Sequence, residues 1–294
     1  MTADDTGAAQ IYDQGYRRYD GPRSGVGGAI RSLVEHSVRD ALGVRRLARH
    51  KVFPAFSVLA AYIPAIAFVG MAALLPPDFH DFLPTYAEYY GFVIAAIFLF
   101  AGFVTPELLC KDRRTGMLGV YLASPLNRPL YLLGKAIAVL LLMLLVTLGP
   151  PLLMLIAYSL ESRGPAGFTE WITTLVHVVV SSLTMGSLFA AVALAVASVT
   201  DRTAVATSTA LALFPGSAIV SDILVQEADL SGWFRLFNLP GLARELVFRI
   251  HDEYGLWNAS DDPTTLALVA AWAFWTFGSL GFVWWRYRSL LVRR

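Results

Sequence analysis

Six apolar runs, near residues 53–75, 86–109, 130–158, 172–199, 204–224 and 265–285, constrain this sequence more than any other feature. Each is close to the roughly 20 residues that a helix needs to cross about 30 Å of hydrocarbon. Lipid offers no hydrogen-bonding partner to a bare backbone, so runs of this length must be helices. Charged residues make up 15% of the chain and hydrophobic ones 56%, far from the roughly one quarter charged of soluble domains. The expectation is an all-α polytopic membrane protein with six transmembrane helices.

Orientation follows from the basic residues, because Lys and Arg flanks are retained in the cytoplasm. Of the 23 Lys and Arg, only Arg163, Arg235, Arg244 and Arg249 fall on one side of the six runs. The rest precede the first run, separate the second from the third and the fourth from the fifth, or follow the sixth. Both termini are therefore expected in the cytoplasm, as an even number of spans also requires. Asp4 and Asp5 open the chain with no apolar stretch or small-residue cleavage site behind them, so no signal peptide is expected. The single cysteine, Cys110, leaves no intramolecular disulfide and no cysteine-based metal site. A net charge of +1 averages two unlike faces and gives no reason to expect nucleic acid. Frequent Ala and the dominance of Arg over Lys point to a GC-rich bacterial genome, hence a bacterial cell membrane.

Around the spans the chain divides into a lead-in over 1–28, a helical segment over 29–51, a six-span body over 52–286 and a basic tail over 287–294. In the second of these, Ile30, Leu33, Val34, Val38, Ala41 and Leu42 recur at helical spacing while Arg31, Glu35, Arg39 and Asp40 fall elsewhere. Such an amphipathic helix either lies in the membrane interface or packs on a soluble partner. The outer loops over 76–84 and 160–170 are short. The third outer segment, 225–262, is long and rich in aromatic residues, with Asn238, Pro240 and Gly241 breaking it; Glu245, Arg249 and Glu253 form an i, i+4 series beyond. It reads as two short helices that dip into the outer interface and return, a re-entrant pair. Pro64, Pro150, Pro151 and Pro215 lie inside spans, where each removes a helix hydrogen bond and permits a kink.

The usual signs of chemistry are missing. Gly134-Lys135 lacks both the upstream Gly and the following Ser or Thr of a phosphate loop, and no zinc-protease or nucleophile-elbow pattern occurs. Within the spans, His177 is the clearest ionisable group, either a functional one or a neutral side chain satisfied by a neighbouring helix. Asp78, His80 and Asp81, or His251, Asp252 and Glu253, have ligand chemistry without a metal spacing. The body thus has no engine of its own.

Residues 110–129 are the long water-facing stretch between two spans. Lys111, Asp112, Arg113 and Arg114 form a charged exit; Met117, Leu118, Val120, Tyr121 and Leu122 can make one or two helical turns; Pro125 ends them and Pro129 restarts the chain. A short helix held this tightly can dock into a groove on a soluble partner and transmit force to both spans. Here Glu107, Arg113, Arg114, Thr115, Gly116, Leu118, Leu122, Ser124, Pro125, Leu126, Arg128, Leu133, Gly134 and Lys135 resemble the segment that joins spans two and three in ABC-2-type permeases, of the type V exporter-like group. Met117 stands between Thr115-Gly116 and Leu118, where the family more usually runs Gly-Thr-Leu.

The resemblance covers the whole layout and implies that this segment is a coupling helix contacting a separate ABC ATPase. Docking would then fall to Lys111, Asp112, Arg113, Arg114, Met117, Leu118, Tyr121 and Leu122. It implies no cofactor on this chain, ATP and Mg on the partner ATPase, and a second permease chain, identical or related. A path between the two permeases would draw on Tyr89, Phe92, Phe100, Thr207, Ser208 and Ser217, a lining that favours export of a hydrophobic or amphiphilic molecule. The alternatives are an ion-coupled carrier or membrane-embedded enzyme, and a scaffold or sensor. The first of these needs carboxylate pairs, metal ligands or a nucleophile within the spans, and the second needs a soluble output domain.

Overall fold

The structure, a computed structural model, describes residues 25–43, 52–76, 83–123, 125–253, 255–257 and 262–289. Among them the regular elements are helical: α1 (Gly25–Ala41), α2 (Val52–Leu74), α3 (Tyr86–Arg114), α4 (Met117–Ala123), α5 (Arg128–Thr147), α6 (Gly149–Leu160), α7 (Gly167–Val199), α8 (Thr203–Asp222), α9 (Leu239–Ile250) and α10 (Thr265–Ser289). Six stretches have the length and apolarity to cross a bilayer: Val52–Leu74, Tyr86–Arg114, Arg128–Leu160, Gly167–Val199, Thr203–Glu227 and Thr265–Ser289. This is a multi-pass membrane protein. The lead-in up to residue 24, residues 44–51, Asp78, His80 and Asp81 of the first outer loop, Ser124 and the tail from 290 lie outside the described residues.

Local chemistry sets the helix ends. Thr85 accepts a hydrogen bond from the Glu88 N–H while the Glu88 carboxylate accepts one from the Thr85 N–H, a capping box that starts α3. Asn127 caps α5 through the Leu130 N–H and Asn238 caps α9 through the Gly241 N–H, each with Pro in the first turn. Helix α3 does not stop where the charges begin but carries Lys111–Arg114 as its last turn. Gly116, at φ +71°, then reverses the chain into α4, a conformation that costs glycine nothing.

The third span is broken where the sequence allows a kink. Pro150 and Pro151 cannot donate to the carbonyls four residues back, and the helix divides at Leu148. In hydrocarbon those carbonyls need other donors. Of the two, the Thr147 carbonyl has the Tyr90 and Ser182 hydroxyls both at 3.0 Å; beside them Tyr62 donates to the neighbouring Leu145 carbonyl at 3.2 Å. A Cβ on Gly149 would collide with the Tyr62 hydroxyl, so this crossing depends on glycine. Pro64 and Pro215, by contrast, sit inside continuous helices.

Helix α7 is the hub. Its span window is 72% buried against 17% for those of α8 and α10, so α8 and α10 turn most of their apolar surface outward. Phe98 of α3, Phe189 of α7 and Phe214 of α8 pack ring on ring inside. Helix α1 starts at Gly25, four residues before the segment marked by its sequence pattern, and packs against α3 and α5. Within 225–262 the fifth span first runs out in a π-helical turn, Ile223–Glu227; a 3₁₀ turn, Gly232–Phe237, follows, and then α9, which packs back on α3, α7, α8 and α10.

Candidate functional site

At one end of the bundle the last turn of α3, helix α4 and the start of α5 form a tight hairpin against α1. Its centre is buried. Lys135 Nζ lies 2.7 Å from Asp112 Oδ2 and donates to Ser37 Oγ at 3.0 Å, while the Tyr131 hydroxyl donates to the same Asp112 oxygen at 2.9 Å. The ammonium also sits over the Tyr121 and Tyr131 rings, at 5.7 and 5.8 Å. Half-burial and the Asp112 and Asp40 carboxylates push the Tyr121 hydroxyl up to about 12, so it stays protonated. Around this core Lys111 pairs with Asp40 of α1 at 2.7 Å. Gly134 meets Leu33 of α1 so closely that a Cβ would lie 2.8 Å from its methyl carbon.

Two arginines singled out in the sequence, Arg113 of the docking set and Arg128 of the wider motif, serve the bundle itself. Arg113 donates to the Ser198 carbonyl at 2.7 Å and the Thr200 carbonyl at 3.3 Å, and the Cys110 thiol reaches the Thr200 carbonyl at 3.2 Å. Both cap the last turn of α7, whose carbonyls have no helical partner. Arg128 likewise donates to the Arg288 carbonyl at the end of α10.

The docking set therefore separates. Asp112 is buried, Arg113 is turned toward α7, and Leu118, Tyr121 and Leu122 are half-buried, Leu118 and Tyr121 against the core. Arg114, Thr115, Gly116 and Met117 remain exposed, and Val120 is 63% exposed. Met117 and Val120 lie one helical turn apart, so α4 presents an apolar pair beyond the exposed Arg114 at the end of α3. Pro125 is exposed, Leu126 is buried and Lys135 is buried in the ion pair. Val120 is absent from the residues singled out by resemblance, although its spacing from Met117 placed both on one face.

Of the path residues only Thr207, Ser208 and Ser217 lie near one another. Tyr89 and Phe100 are fully buried within the chain, and the Tyr89 hydroxyl donates to the Ala61 carbonyl. Phe92 faces outward on α3, edge-on to Phe68. Thr207 and Ser208 line a cavity of about 590 Å³ between α2, α3 and α8, together with Glu107, Lys111 and Arg114. Ser208 and Ser217 also line a mostly apolar groove of about 890 Å³ on α7, α8 and α10. His177 lies edge-on to His251, with ring centres 5.4 Å apart.

A six-span helical body thus carries a braced helical hairpin at one end, which defines a multi-pass membrane protein with an ion-paired hairpin at that end. Residues 13–232 match the family described as ABC-2 family transporter protein, and the chain belongs to that family. The match runs through α1 to α8 and ends in the 3₁₀ turn before α9. A search of curated proteins gives no significant match. Family membership implies a membrane subunit that associates with an ABC ATPase.

Proposed function

We propose that the chain is the permease subunit of an ABC exporter for a hydrophobic or amphiphilic molecule, driven by a separate ATPase that binds α4. One observation carries this reading: Arg114 at the end of α3 and Met117 and Val120 of α4 are exposed, while Lys111–Asp40 ties α3 to α1, Asp112–Lys135 ties α3 to α5, and Lys135–Ser37 ties α5 to α1. Force on α4 then moves α1, α3 and α5 as one body. In this reading the α4 end faces the cytoplasm of a bacterial cell, as the basic flanks require, and α4 is the coupling helix. ATP and Mg belong to the partner chain. The outward apolar faces of α8 and α10 suit lipid or a second permease, identical or related.

The apolar groove over α7, α8 and α10 and the small polar hydroxyls along α8 support an amphiphilic cargo over a sugar or ion. Fold by itself does not identify cargo. The test is to purify the tagged chain in mild detergent or nanodiscs from its native host. A stoichiometric ATPase with vanadate-sensitive activity is expected to accompany it. Isolation of the chain without any ATPase under several mild conditions would refute the assignment.

A further inference from the structure

At the end of the bundle opposite α4 lies a cavity of about 530 Å³, bounded by Thr85 and Tyr86 at the start of α3, Tyr158 at the end of α6, Arg163 and Glu253. Tyr158 is 5% exposed, and neither its hydroxyl nor that of Tyr86 has a hydrogen-bond partner among the described residues. Buried polar atoms left this way are rare and call for an explanation. The two rings stand 6.0 Å apart at 49°. Glu253 holds its carboxylate at the same cavity, where Oε2 accepts from the Thr85 hydroxyl at 2.8 Å.

The chemistry of these groups is selective. Two phenol oxygens and a carboxylate are acceptors for the three N–H bonds of a primary ammonium, and the aromatic faces add attraction for a cation. A quaternary ammonium has no N–H to give them. His251, which stacks on Tyr86 with ring centres 6.3 Å apart, adds no competing charge near neutral pH. Burial first, and then His177, lowers its pKa to about 4. Glu88 adds negative charge near Glu253. Arg163 lines the same cavity and donates to the Leu75 carbonyl. Its charge suits a ligand that carries an anion a few atoms from its ammonium.

We propose that this cavity binds the primary ammonium of a zwitterion of the phosphoethanolamine type, through the Tyr86 and Tyr158 hydroxyls and the Glu253 carboxylate. The source is either a phospholipid headgroup or a soluble zwitterion. The site does not depend on the ATPase or on α4, so its failure would leave the proposed function standing.

The test uses the full chain in phosphatidylglycerol nanodiscs doped with equal amounts of ethanolamine and choline phospholipid, and counts retained lipids by native mass spectrometry. The wild type is expected to prefer the ethanolamine lipid about tenfold. Tyr158→Phe and Glu253→Gln should each abolish most of that preference while melting like the wild type in discs of phosphatidylglycerol alone. Tyr158→Phe removes only the unpartnered hydroxyl, and Glu253→Gln keeps an acceptor for Thr85, so the two variants guard against each other's misfolding. Soluble phosphoethanolamine is then offered in detergent: displacement of bound lipid identifies a site open to soluble zwitterions, and no displacement identifies a lipid site. Equal retention of the two lipids by the wild type, or an unchanged preference in either properly folded variant, overturns the proposal.

Discussion

Asp112 and Glu245 are both carboxylates buried at opposite ends of the bundle, and they are held in opposite ways. Asp112 of α3 takes its partners from another helix of the hairpin, Lys135 and Tyr131 of α5, and through Lys135 it is tied to Ser37 of α1. Glu245 takes its partners from nearby in sequence: Arg249 one turn on, and the Leu256 and Trp257 N–H groups of the loop after α9. A Cβ on Gly255 would strike that carboxylate, which shows how closely the loop is drawn over it. The first arrangement joins separate helices into one unit. The second fastens a loop to the helix it follows.

The difference predicts unequal damage. Lys135→Met leaves Asp112 charged and buried without its counter-ion, and the expected loss is about 3–5 kcal/mol. Asp112→Leu added to it should restore most of the stability, because the apolar pair needs no compensation. Thermal unfolding in detergent, read by tryptophan fluorescence, measures both. Hydrogen exchange in Lys135→Met should rise in α1, α3 and α5 together; a rise confined to α5 would break the claim that they form one body. Glu245→Gln is expected to cost about 2 kcal/mol, with faster exchange confined to 255–257 and α9. An equal spread into α3 and α7 would erase the contrast between the two ends.

A smaller effect comes from pH at the α9 end. The pKa of His251 is depressed to about 4 by burial and by His177, against roughly 6.5 in an unfolded chain. Between those values the unfolded state binds the extra proton, so stability falls as pH drops from about 6.5 toward 4 and is flat above. The part of this slope that belongs to His251 should vanish in His251→Asn, measured as melting temperature against pH. Glu253, whose pKa is raised chiefly by burial, titrates nearby, so Glu253→Gln is the control that separates the two.

How much of this was legible in the sequence follows the same division. The six spans were, because hydrocarbon thickness sets their length and nothing else satisfies the backbone. The Glu245–Arg249 pair was, since i, i+4 neighbours share a helix face. The third member of that series was not: Glu253 lies beyond the end of α9, and its carboxylate accepts from Thr85. Lys135 read as a flank of the third span and Arg113 as a docking cation, because periodicity says where a residue sits on its own helix and not what crosses to meet it. Both are spent on contacts with other helices, Asp112 in one case and the end of α7 in the other. A basic loop looks the same in sequence whether its charges face a partner or cap the helices behind.

That ambiguity is what the exposed face of α4 can resolve, and there the expected effect on stability is smallest. Val120→Asp and Arg114→Glu alter exposed side chains, so melting should stay within about 0.5 kcal/mol of the wild type. Their effect should appear instead in partner binding: either change is expected to weaken co-purification of the ATPase about tenfold or more, because an apolar contact or a complementary charge at an interface is lost. Leu118→Asp is the instructive contrast. Leu118 packs against the core, so a carboxylate there should lower stability as well as coupling, and cannot by itself distinguish a docking residue from a structural one. If Val120→Asp and Arg114→Glu leave ATPase recovery intact while Lys135→Met abolishes it, the hairpin's interior matters and its outward face does not, and the partner must bind elsewhere.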